Sequence, residues 1–428
     1  MGIMCLAHYS SQWLVLGLIL VLPPACHSQN ELLLRSVQTP YALSFNISQV
    51  AGSSTTYGPN ASVIRGKFYR TLTLHDGRLF VGGRAQMFAV HPADLTTLEH
   101  VSIPATPAYR NRNCQNCDNY IRMIEPLSSG FLLECGTNAL HPYCSLRSSH
   151  TLLPLGFRYE FSGGDFIVPT LPNQNSSWLV LGDTDYQLFA GTYLSGYHNH
   201  SHPAIVKVRV SVNVSRITVN ETYSSSHLFN EPQFVGAPIE YNGRIYFFFR
   251  EDASEYMDGY GETVAFATVA TVCENDTGGR SFAVFSRTDL VTFVKARLIC
   301  SIVGDFSYHY NEIQDIYQST ADTNVVFAIF ATQPTGVESS AVCAYRLDEI
   351  EALFLYGQFR AQLANDELWT TLTIDPVTPR QVTCPDGVGY SDADYFNILN
   401  WGQLMADTAA NKLHYENPSG IRSNPLLV

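Results

Sequence analysis

Short stretches of alternating apolar and polar residues, separated by turn-forming residues, dominate this chain. The segment TLTLH is followed by Asp76-Gly77 and then by RLFVGG, and further along Asn242-Gly243 leads into RIYFFFRE. Asp-Gly and Asn-Gly readily adopt the positive φ angles that a two-residue hairpin turn requires. The pattern therefore predicts a β-hairpin at each of these two places.

Other segments show the period of two that is typical of strands. They are SSWLVLG with DTDYQLFAGTY, AIVKVRVSV, ITVNETY, NVVFAIFAT, SSAVCAYRL and LWTTLTI. Helical periodicity is rare, and the two candidates are Asp348–Leu355 and Tyr395–Leu404. Many short strands with frequent turns predict an all-β sandwich, barrel or propeller. Hairpins that end in small residues (FVGG, FAGT) favour propeller blades, and the lack of a Pro/Gly/Ser-rich linker favours one domain.

The N-terminus indicates a secretory route. Trp13 to Leu22 is a continuous apolar run that is followed by two prolines and small residues. This length suits the apolar region of a signal peptide and is too short to span a bilayer. We expect a signal peptide over residues 1–28, cleaved between Ala25 and Ser28, and a mature chain over residues 29–428. No later apolar segment is long enough for a membrane span, so we expect a secreted, extracellular protein.

Glycosylation sequons and cysteines agree with that compartment. The Asn-x-Ser/Thr sequons place candidate glycans at Asn46, Asn60, Asn175, Asn199, Asn213, Asn220 and Asn275. Outside the signal region the cysteines are Cys114, Cys117, Cys135, Cys144, Cys273, Cys300, Cys343 and Cys384. An even set of cysteines in an oxidising compartment predicts disulfide bonds, although spacing alone does not assign the partners.

Composition and motifs argue against nucleic-acid binding and catalysis. The formal net charge is −13, whereas nucleic-acid phosphates attract a basic face. The chain has no G-x-S-x-G elbow, no H-E-x-x-H helix and no phosphate-binding G-x-x-x-x-G-K loop. We therefore expect no catalytic residue, no cofactor and no metal site.

Two patterns remain open to a metal-binding interpretation. His198, His200 and His202 alternate along the chain, but Asn199 opens a sequon between them, which favours an exposed polar loop. The C-x-x-C pair Cys114 and Cys117 is compatible with a redox pair, half of a zinc site or a structural disulfide. A redox pair normally opens a helix in a βαβ unit, which the pattern does not show, so a structural disulfide is favoured.

An ordered series of motifs resembles the sema domain of semaphorins. The clearest is CDNYIRMIEPLSSGFLLECGTNALHPYC over residues 117–144, where a cysteine precedes an N-Y-I-R strand and C-G-T-N-A follows. The other motifs occur in family order along the chain, the first of them before residue 117: GRLFVGGRAQMFAV, DTDYQLFAGTYLSG, EPQFVGAPIEYNGRIYFFFRED, VCENDTGG, TFVKARLICS, NEIQDIY, SAVCAY and TCPDG. The resemblance covers residues 69–384.

The resemblance implies a seven-bladed β-propeller that binds plexin receptors and forms a homodimer, with effects on cell migration and axon guidance. It also implies the disulfide bonds Cys114–Cys117, Cys135–Cys144, Cys273–Cys384 and Cys300–Cys343. The first of these is tighter than is usual in the family. Plexin contact is expected at the turn beside the triple-Phe strand and just before it, at Gln233, Ala237, Tyr241 and Asn242.

Two departures from the family pattern are visible. VCENDTGG lacks the R-G-D that some class 7 semaphorins carry there, so an integrin partner is not expected. The sequence also ends soon after Cys384, without the family's PSI or immunoglobulin domain. A shortened last blade is therefore expected, as in a compact viral-type semaphorin, a truncated isoform or an incomplete gene model.

Two other functions compete with the signalling ligand. A soluble decoy would occupy plexin without activating it, and a monomeric state would favour that hypothesis. A propeller hydrolase such as a glycosidase would need a carboxylate pair and an arginine cluster at the central channel. The sequence shows no such signature.

Overall fold

The computed structural model describes residues 71–107, 109, 118–127, 130–160, 167–183, 185–192, 204–211, 218–222, 229–253, 264–276, 289–290, 292–302, 308–332, 338–362, 368–372, 383–384, 403–410 and 426–427. The chain divides into two compact units, Met1–Phe161 with Thr170–Pro172 and Ser162–Pro169 with Asn173–Val428. The expected signal peptide lies outside the described residues, and a single domain over residues 29–428 stays a prediction.

The first unit contains two antiparallel sheets in which each strand pairs with the next one along the chain. Sheet 1 is formed by β1 (Thr71–His75), β2 (Arg78–Gly83), β3 (Gln86–Val90) and β4 (Thr97–Ser102). Sheet 2 is formed by β5 (Ile121–Leu127), β6 (Phe131–Gly136), β7 (Tyr143–Ser148) and β8 (Pro154–Glu160). A 3-10 turn, Asn138–Leu140, lies between β6 and β7.

The second unit repeats this arrangement in three further sheets. Sheet 3 is formed by β9 (Ser176–Leu181), β10 (Asp185–Thr192), β11 (Ile205–Ser211) and β12 (Thr218–Thr222). Sheet 4 begins with β13 (Gln233–Tyr241), β14 (Arg244–Asp252) and β15 (Ala265–Cys273). The short β16 (Asp289–Leu290) joins sheet 3 in parallel with β12, and β17 (Val294–Ile302) pairs with β15 as the fourth strand of sheet 4.

The later elements extend sheet 4 and build sheet 5. They are β18 (Tyr308–Tyr310), β19 (Glu312–Gln318), β20 (Val325–Ala331), β21 (Ser340–Arg346), α1 (Leu347–Tyr356), β22 (Phe359–Gln362), β23 (Thr370–Thr371), β24 (Gln403–Ala410) and β25 (Leu426–Leu427). Sheet 5 has the order β19-β20-β21-β25, while β24, β22 and β23 continue sheet 4 beyond β17. Consecutive four-stranded meanders are the blade units of a β-propeller.

The hairpins predicted from the sequence are confirmed. Asp76 and Gly77 have φ angles of 47° and 69°, and Asn242 and Gly243 have φ angles of 54° and 70°. These are the positive angles of a primed two-residue turn, whose twist matches that of the strands on either side.

The first of the two predicted helices is confirmed, whereas the second prediction is wrong at its C-terminal end. Asp348–Leu355 lies within α1, but residues 403 and 404 of the second candidate begin strand β24. There β24 pairs with β17 and β22, and pairing with distant strands outweighs the local helical pattern. Residues 395–402 lie outside the described residues.

Sheet 4 is buried on both of its faces. Along β14, Phe247 and Phe249 contribute to a core shared with sheet 3, whereas Tyr246 and Phe248 contribute to a core shared with sheet 5. Because side chains alternate across a strand, a strand between two cores must be apolar at every position. This explains the continuous aromatic run that follows the Asn242-Gly243 turn.

A glycine in sheet 3 allows sheet 4 to approach closely. A Cβ atom at Gly191, the glycine of FAGT, would lie 2.5 Å from the ring carbon Cδ1 of Phe234. Gly82 of FVGG plays the same part in the first unit, where a Cβ atom would lie 2.8 Å from Ile121 Cγ2. The small residues that end these hairpins are therefore sites of packing between sheets.

The C-G-T-N motif forms a buried polar network in the first unit. The Asn119 amide donates to Ile103 O at 2.9 Å and accepts from the Asn138 backbone N–H at 3.0 Å. The Asn138 side-chain oxygen accepts both from the Thr106 backbone N–H and from its hydroxyl. Asn119 and Asn138 are fully buried, so each partner satisfies a group whose burial would otherwise be costly.

Three disulfide bonds are present among the described residues. They join Cys135 to Cys144, Cys273 to Cys384 and Cys300 to Cys343. These are the pairs that the family resemblance implies. The expected Cys114–Cys117 bond lies outside the described residues.

A buried ion pair joins two strands of sheet 4. Lys295 Nζ lies 2.7 and 2.9 Å from the two carboxylate oxygens of Glu251, and both side chains are almost completely buried. The Thr268 hydroxyl of the strand between them donates to Glu251 Oε1 at 3.2 Å. Each charge therefore depends on the other, since an isolated ion in this interior would be strongly destabilising.

We expect Lys295→Met to lower the free energy of unfolding by about 3–5 kcal/mol, because it leaves the Glu251 carboxylate buried without its counter-charge. The double variant Lys295→Met/Glu251→Leu should recover much of this loss. Denaturant unfolding followed by tryptophan fluorescence measures both effects. If the stability loss of the double variant equals the sum of the losses measured for Lys295→Met and Glu251→Leu alone, the two side chains are not coupled.

Asp315 is a buried carboxyl group where β19 of sheet 5 packs near β13. It accepts a hydrogen bond from the Ile316 backbone N–H at 2.9 Å, and a Cβ atom at Gly236 of β13 would lie 3.3 Å from Asp315 Oδ1. Burial raises the pKa of Asp315 from 3.8 to about 6, and the hydrogen bond from Ile316 opposes this only in part. Ionisation at neutral pH therefore destabilises the folded state.

Asp315→Asn should raise the free energy of unfolding at pH 7.5 by up to about 3 kcal/mol, because the amide has no charge to desolvate. The gain should shrink as the pH falls from about 6 to 3.8, since the native carboxyl then takes up its proton. Thermal unfolding across this pH range provides the measurement. Asp76→Asn at an exposed turn is the control, and a gain that does not change with pH would contradict the assignment.

Candidate functional site

The four residues predicted for receptor contact lie along strand β13 and in the turn that follows it, but not in one patch. Gln233 begins β13 opposite Arg250, and Tyr241 ends it opposite Arg244. At the rise of a β-strand, this separation is on the order of 25 Å. Tyr241 and Asn242 are brought together at one end of the sheet, whereas Gln233 lies at the other.

Ala237 occupies a third position, in the middle of β13. The strand is irregular between Val235 and Ile239, and Ala237 is exposed there. Gly236 before it has a φ angle of 62°, and a Cβ atom at Gly236 would collide with Ile316. The bulge lets β13 pass close to sheet 5 and turns Ala237 outward.

The turn at the end of β13 is held by short-range hydrogen bonds. The Gly243 backbone N–H donates to Glu240 Oε1 at 3.0 Å. Tyr241 is half-buried and packs against the core shared by sheets 4 and 5, whereas Asn242 is exposed. The exposed polar side chain of Asn242 thus lies next to the ring of Tyr241, which is held by its packing on the core.

Helix α1 fixes the same turn from outside the sheet. Glu351 of the helix accepts a hydrogen bond from Asn242 Nδ2 at 3.1 Å through one carboxylate oxygen. Its other oxygen accepts from Arg244 Nε at 2.9 Å, and the Arg244 side chain is only 5% exposed. A bidentate acceptor of this kind restricts both partners. The turn and the helix therefore form one surface, which we call the turn–helix surface (Tyr241–Arg244 with Glu351).

A disulfide bond lies beside the turn, on the side that faces strand β15. Cys273 lies opposite Arg244 in the register of β14 and β15, and it is bonded to Cys384. Beyond it, the Glu274 backbone N–H donates to Gly243 O at 2.8 Å. The turn is held from both sides, which gives a partner a surface that needs little ordering on binding.

The phenol of Tyr246 lies beneath this surface. It is fully buried, and burial is the main cause that raises its pKa well above the usual value, with the negative charge of Glu351 acting in the same direction. Tyr246 therefore stays neutral, and the charged residues of the turn–helix surface are Arg244 and Glu351.

The opposite end of β13 has a different environment. Arg250, the cross-strand partner of Gln233, donates through Nη1 to Ile313 O and to Gln314 Oε1, each at 3.2 Å. These contacts link sheet 4 to β19 of sheet 5. Gln233 therefore belongs to a separate surface at the sheet 4–sheet 5 border.

Sequence reasoning missed Glu351, Arg244 and Glu274. Glu351 is 109 residues from Asn242 along the chain, and no local pattern indicates that contact. The sequence feature that could have indicated Glu351 is the short amphipathic helix after SAVCAY. Such a helix packs its apolar face on a neighbouring sheet and leaves its charged residues on the outer side.

The predicted glycosylation sites are described in part. Asn175 lies just before β9 and is partly exposed, Asn220 lies in β12, and Asn275 is exposed directly after β15. The remaining candidates, at Asn46, Asn60, Asn199 and Asn213, lie outside the described residues. So do His198, His200 and His202.

Within the described part of the chain, no group of three or more His, Cys, Asp or Glu side chains is arranged to hold a metal ion. In the same residues, no helix has the length and apolar character needed to cross a membrane.

Comparison with known proteins identifies the family. A model of the Sema domain matches residues 313–414. Semaphorin 5c of Drosophila melanogaster is 33% identical over 301 residues, which are 69% of this chain and 26% of that protein. Semaphorin-2A of Drosophila melanogaster is 30% identical over 379 residues, which are 82% of this chain and 50% of that protein. The chain thus spans half or less of the length of these relatives.

Solved structures show the same fold. Drosophila Semaphorin 2a matches with a TM-score of 0.66 and 25% identity, covering 81% of this chain and 58% of that one. A chain in the structure of Drosophila Plexin A in complex with Semaphorin 1b matches with a TM-score of 0.62 and 25% identity, covering 80% and 64%. The all-β propeller fold is therefore confirmed, and the chain belongs to the semaphorin family.

Proposed function

We propose that this protein is an extracellular signalling ligand that binds the ectodomain of a plexin. The observation that carries the proposal is the match to semaphorin structures, one of which contains Drosophila Plexin A in complex with Semaphorin 1b. Secretion through the predicted signal peptide, homodimer formation and effects on cell migration and axon guidance belong to the same proposal. Semaphorins act as ligands rather than enzymes, which agrees with the absence of catalytic motifs in the sequence.

The turn–helix surface is the proposed plexin contact. Tyr241 offers a partner an aromatic ring, and Asn242 offers an exposed amide beside it. Aromatic side chains next to fixed polar groups frequently dominate binding energy. Glu351 is a positioning residue, because it holds Asn242 and Arg244 in place. Gln233 and Ala237 are tested separately, since the strand places them on other surfaces.

Tyr241→Ser should weaken binding to the cognate plexin by about tenfold, equivalent to about 1.4 kcal/mol. Binding of purified protein to a panel of plexin ectodomains, measured by surface plasmon resonance, provides the test. Tyr317→Ser is the control for losing a strand tyrosine elsewhere, because Tyr317 lies on a strand of sheet 5 and is 46% exposed, whereas Tyr241 is half-buried. Its affinity should equal that of the parent protein.

Asn242→Asp provides a second variant that keeps the turn, because Asp-Gly forms the same hairpin. It should weaken binding by placing a carboxylate against Glu351, without lowering the unfolding temperature as far as a core substitution would. Failure of the parent protein to bind any plexin would refute the proposed function. Unchanged affinity in both Tyr241→Ser and Asn242→Asp would refute only the site, and Gln233→Ala and Ala237→Arg then test the other two surfaces.

The oligomeric state separates the agonist from the decoy. A homodimer that binds plexin and collapses responsive cells supports the signalling ligand. A monomer that binds without a cellular response supports the decoy. Sedimentation equilibrium and a collapse assay on the same preparation give both results.

A further inference from the structure

The sequon at residue 275 borders the turn–helix surface. Asn275 is exposed, whereas Cys273 before it and Asp276 after it are almost completely buried. Of the three sequon asparagines that the structure describes, Asn275 lies next to sheet 4, whereas Asn220 lies in sheet 3 and Asn175 lies just before its strand β9. The position of Asn275 relative to the turn decides what a glycan there would cover.

The backbone around Asn275 is fixed by contacts on both sides. Lys207 Nζ donates to Glu274 O at 2.5 Å and to Asp276 O at 3.1 Å. The Asp276 carboxylate accepts from the Thr292 backbone N–H at 2.9 Å and from its hydroxyl at 2.7 Å. These contacts hold the residues before and after Asn275, so the attachment point for a glycan has a defined place.

That attachment point lies beside the hairpin turn. The Glu274 backbone N–H is bonded to Gly243 O at 2.8 Å, and Asn275 follows Glu274 directly. Consecutive Cα atoms are about 3.8 Å apart, so the root of a glycan on Asn275 is one residue step from the contact with Gly243. An N-linked glycan is bulky and extends far beyond such a distance.

We propose that an N-glycan on Asn275 shields the turn–helix surface and thereby limits the access of a protein partner to Tyr241 and Asn242. Attachment would join the Asn275 side-chain nitrogen to the anomeric carbon of a lipid-pyrophosphate-linked oligosaccharide. The amide loses one proton and the lipid pyrophosphate leaves. The shielding of the turn is inferred from the position of Asn275 beside Gly243. The regulatory role of the glycan rests on the proposed plexin contact at the same surface.

The test uses substitutions at Thr277, which leave Asn275 in place. Thr277→Ala removes the sequon, and Thr277→Ser preserves it as the matched control. All proteins are produced in a secretory host, and mass spectrometry measures glycan occupancy at Asn275. An unoccupied Asn275 in the parent protein would overturn the proposal.

Access to the turn is measured with a lysine introduced by Asn242→Lys into each background. The sequence contains only four lysines, and Lys207 and Lys295 are buried, so a new label is readily assigned by peptide mapping. A branched polyethylene glycol active ester should label position 242 several-fold faster in the Thr277→Ala protein than in the Thr277→Ser protein. A small acetylating reagent should label both at similar rates. Equal rates with the large reagent would refute the shield.

Plexin binding is then compared in proteins that retain Asn242. The Thr277→Ala protein should bind several-fold more tightly than the parent and Thr277→Ser proteins. Equal affinities together with a shielded position 242 would overturn the regulatory role. If no form binds any plexin, the proposed function fails, while the labelling rates still decide whether the glycan shields the turn.

Discussion

The packing of sheet 4 between sheets 3 and 5 is the constraint on which the second unit depends. Strand β14 contributes Phe247 and Phe249 to one core and Tyr246 and Phe248 to the other. Such a strand has no face for charged side chains, so its charged residues are confined to its ends. Arg244 and Arg250, near the two ends, make the contacts that link sheet 4 to helix α1 and to β19.

Tight packing also explains the unusual polar groups of the interior. Glu251 lies just beyond the aromatic run, where its carboxylate is removed from water and must be matched by Lys295. Asp315 has no such counter-ion among its hydrogen-bond partners, and its pKa rises to about 6 in consequence. The two carboxylates illustrate two outcomes of burial, which are neutralisation by a partner and a shift toward the protonated form.

Function is proposed where the strands end, because there the chain meets solvent while the sheet keeps it rigid. The turn at Asn242-Gly243 is held by Glu351 from the helix, by Glu274 just after β15 and by the nearby Cys273–Cys384 bond. The same contacts bring the sequon at Asn275 to the border of that turn. The proposed binding surface and the predicted glycosylation site are thus neighbours through the pairing of β14 with β15.

The sequence by itself determined the strand pattern, the two hairpin turns, helix α1 and, by resemblance, the propeller fold and three disulfide pairs. These features depend on residue periodicity, on residues that accept positive φ angles and on motifs in a fixed order. The tertiary structure alone decided that residues 403–410 form a strand and that Glu351 and Asn275 border the turn. The physical reason is that each of these results depends on pairing or packing between segments distant in sequence, on which local residue patterns carry no information.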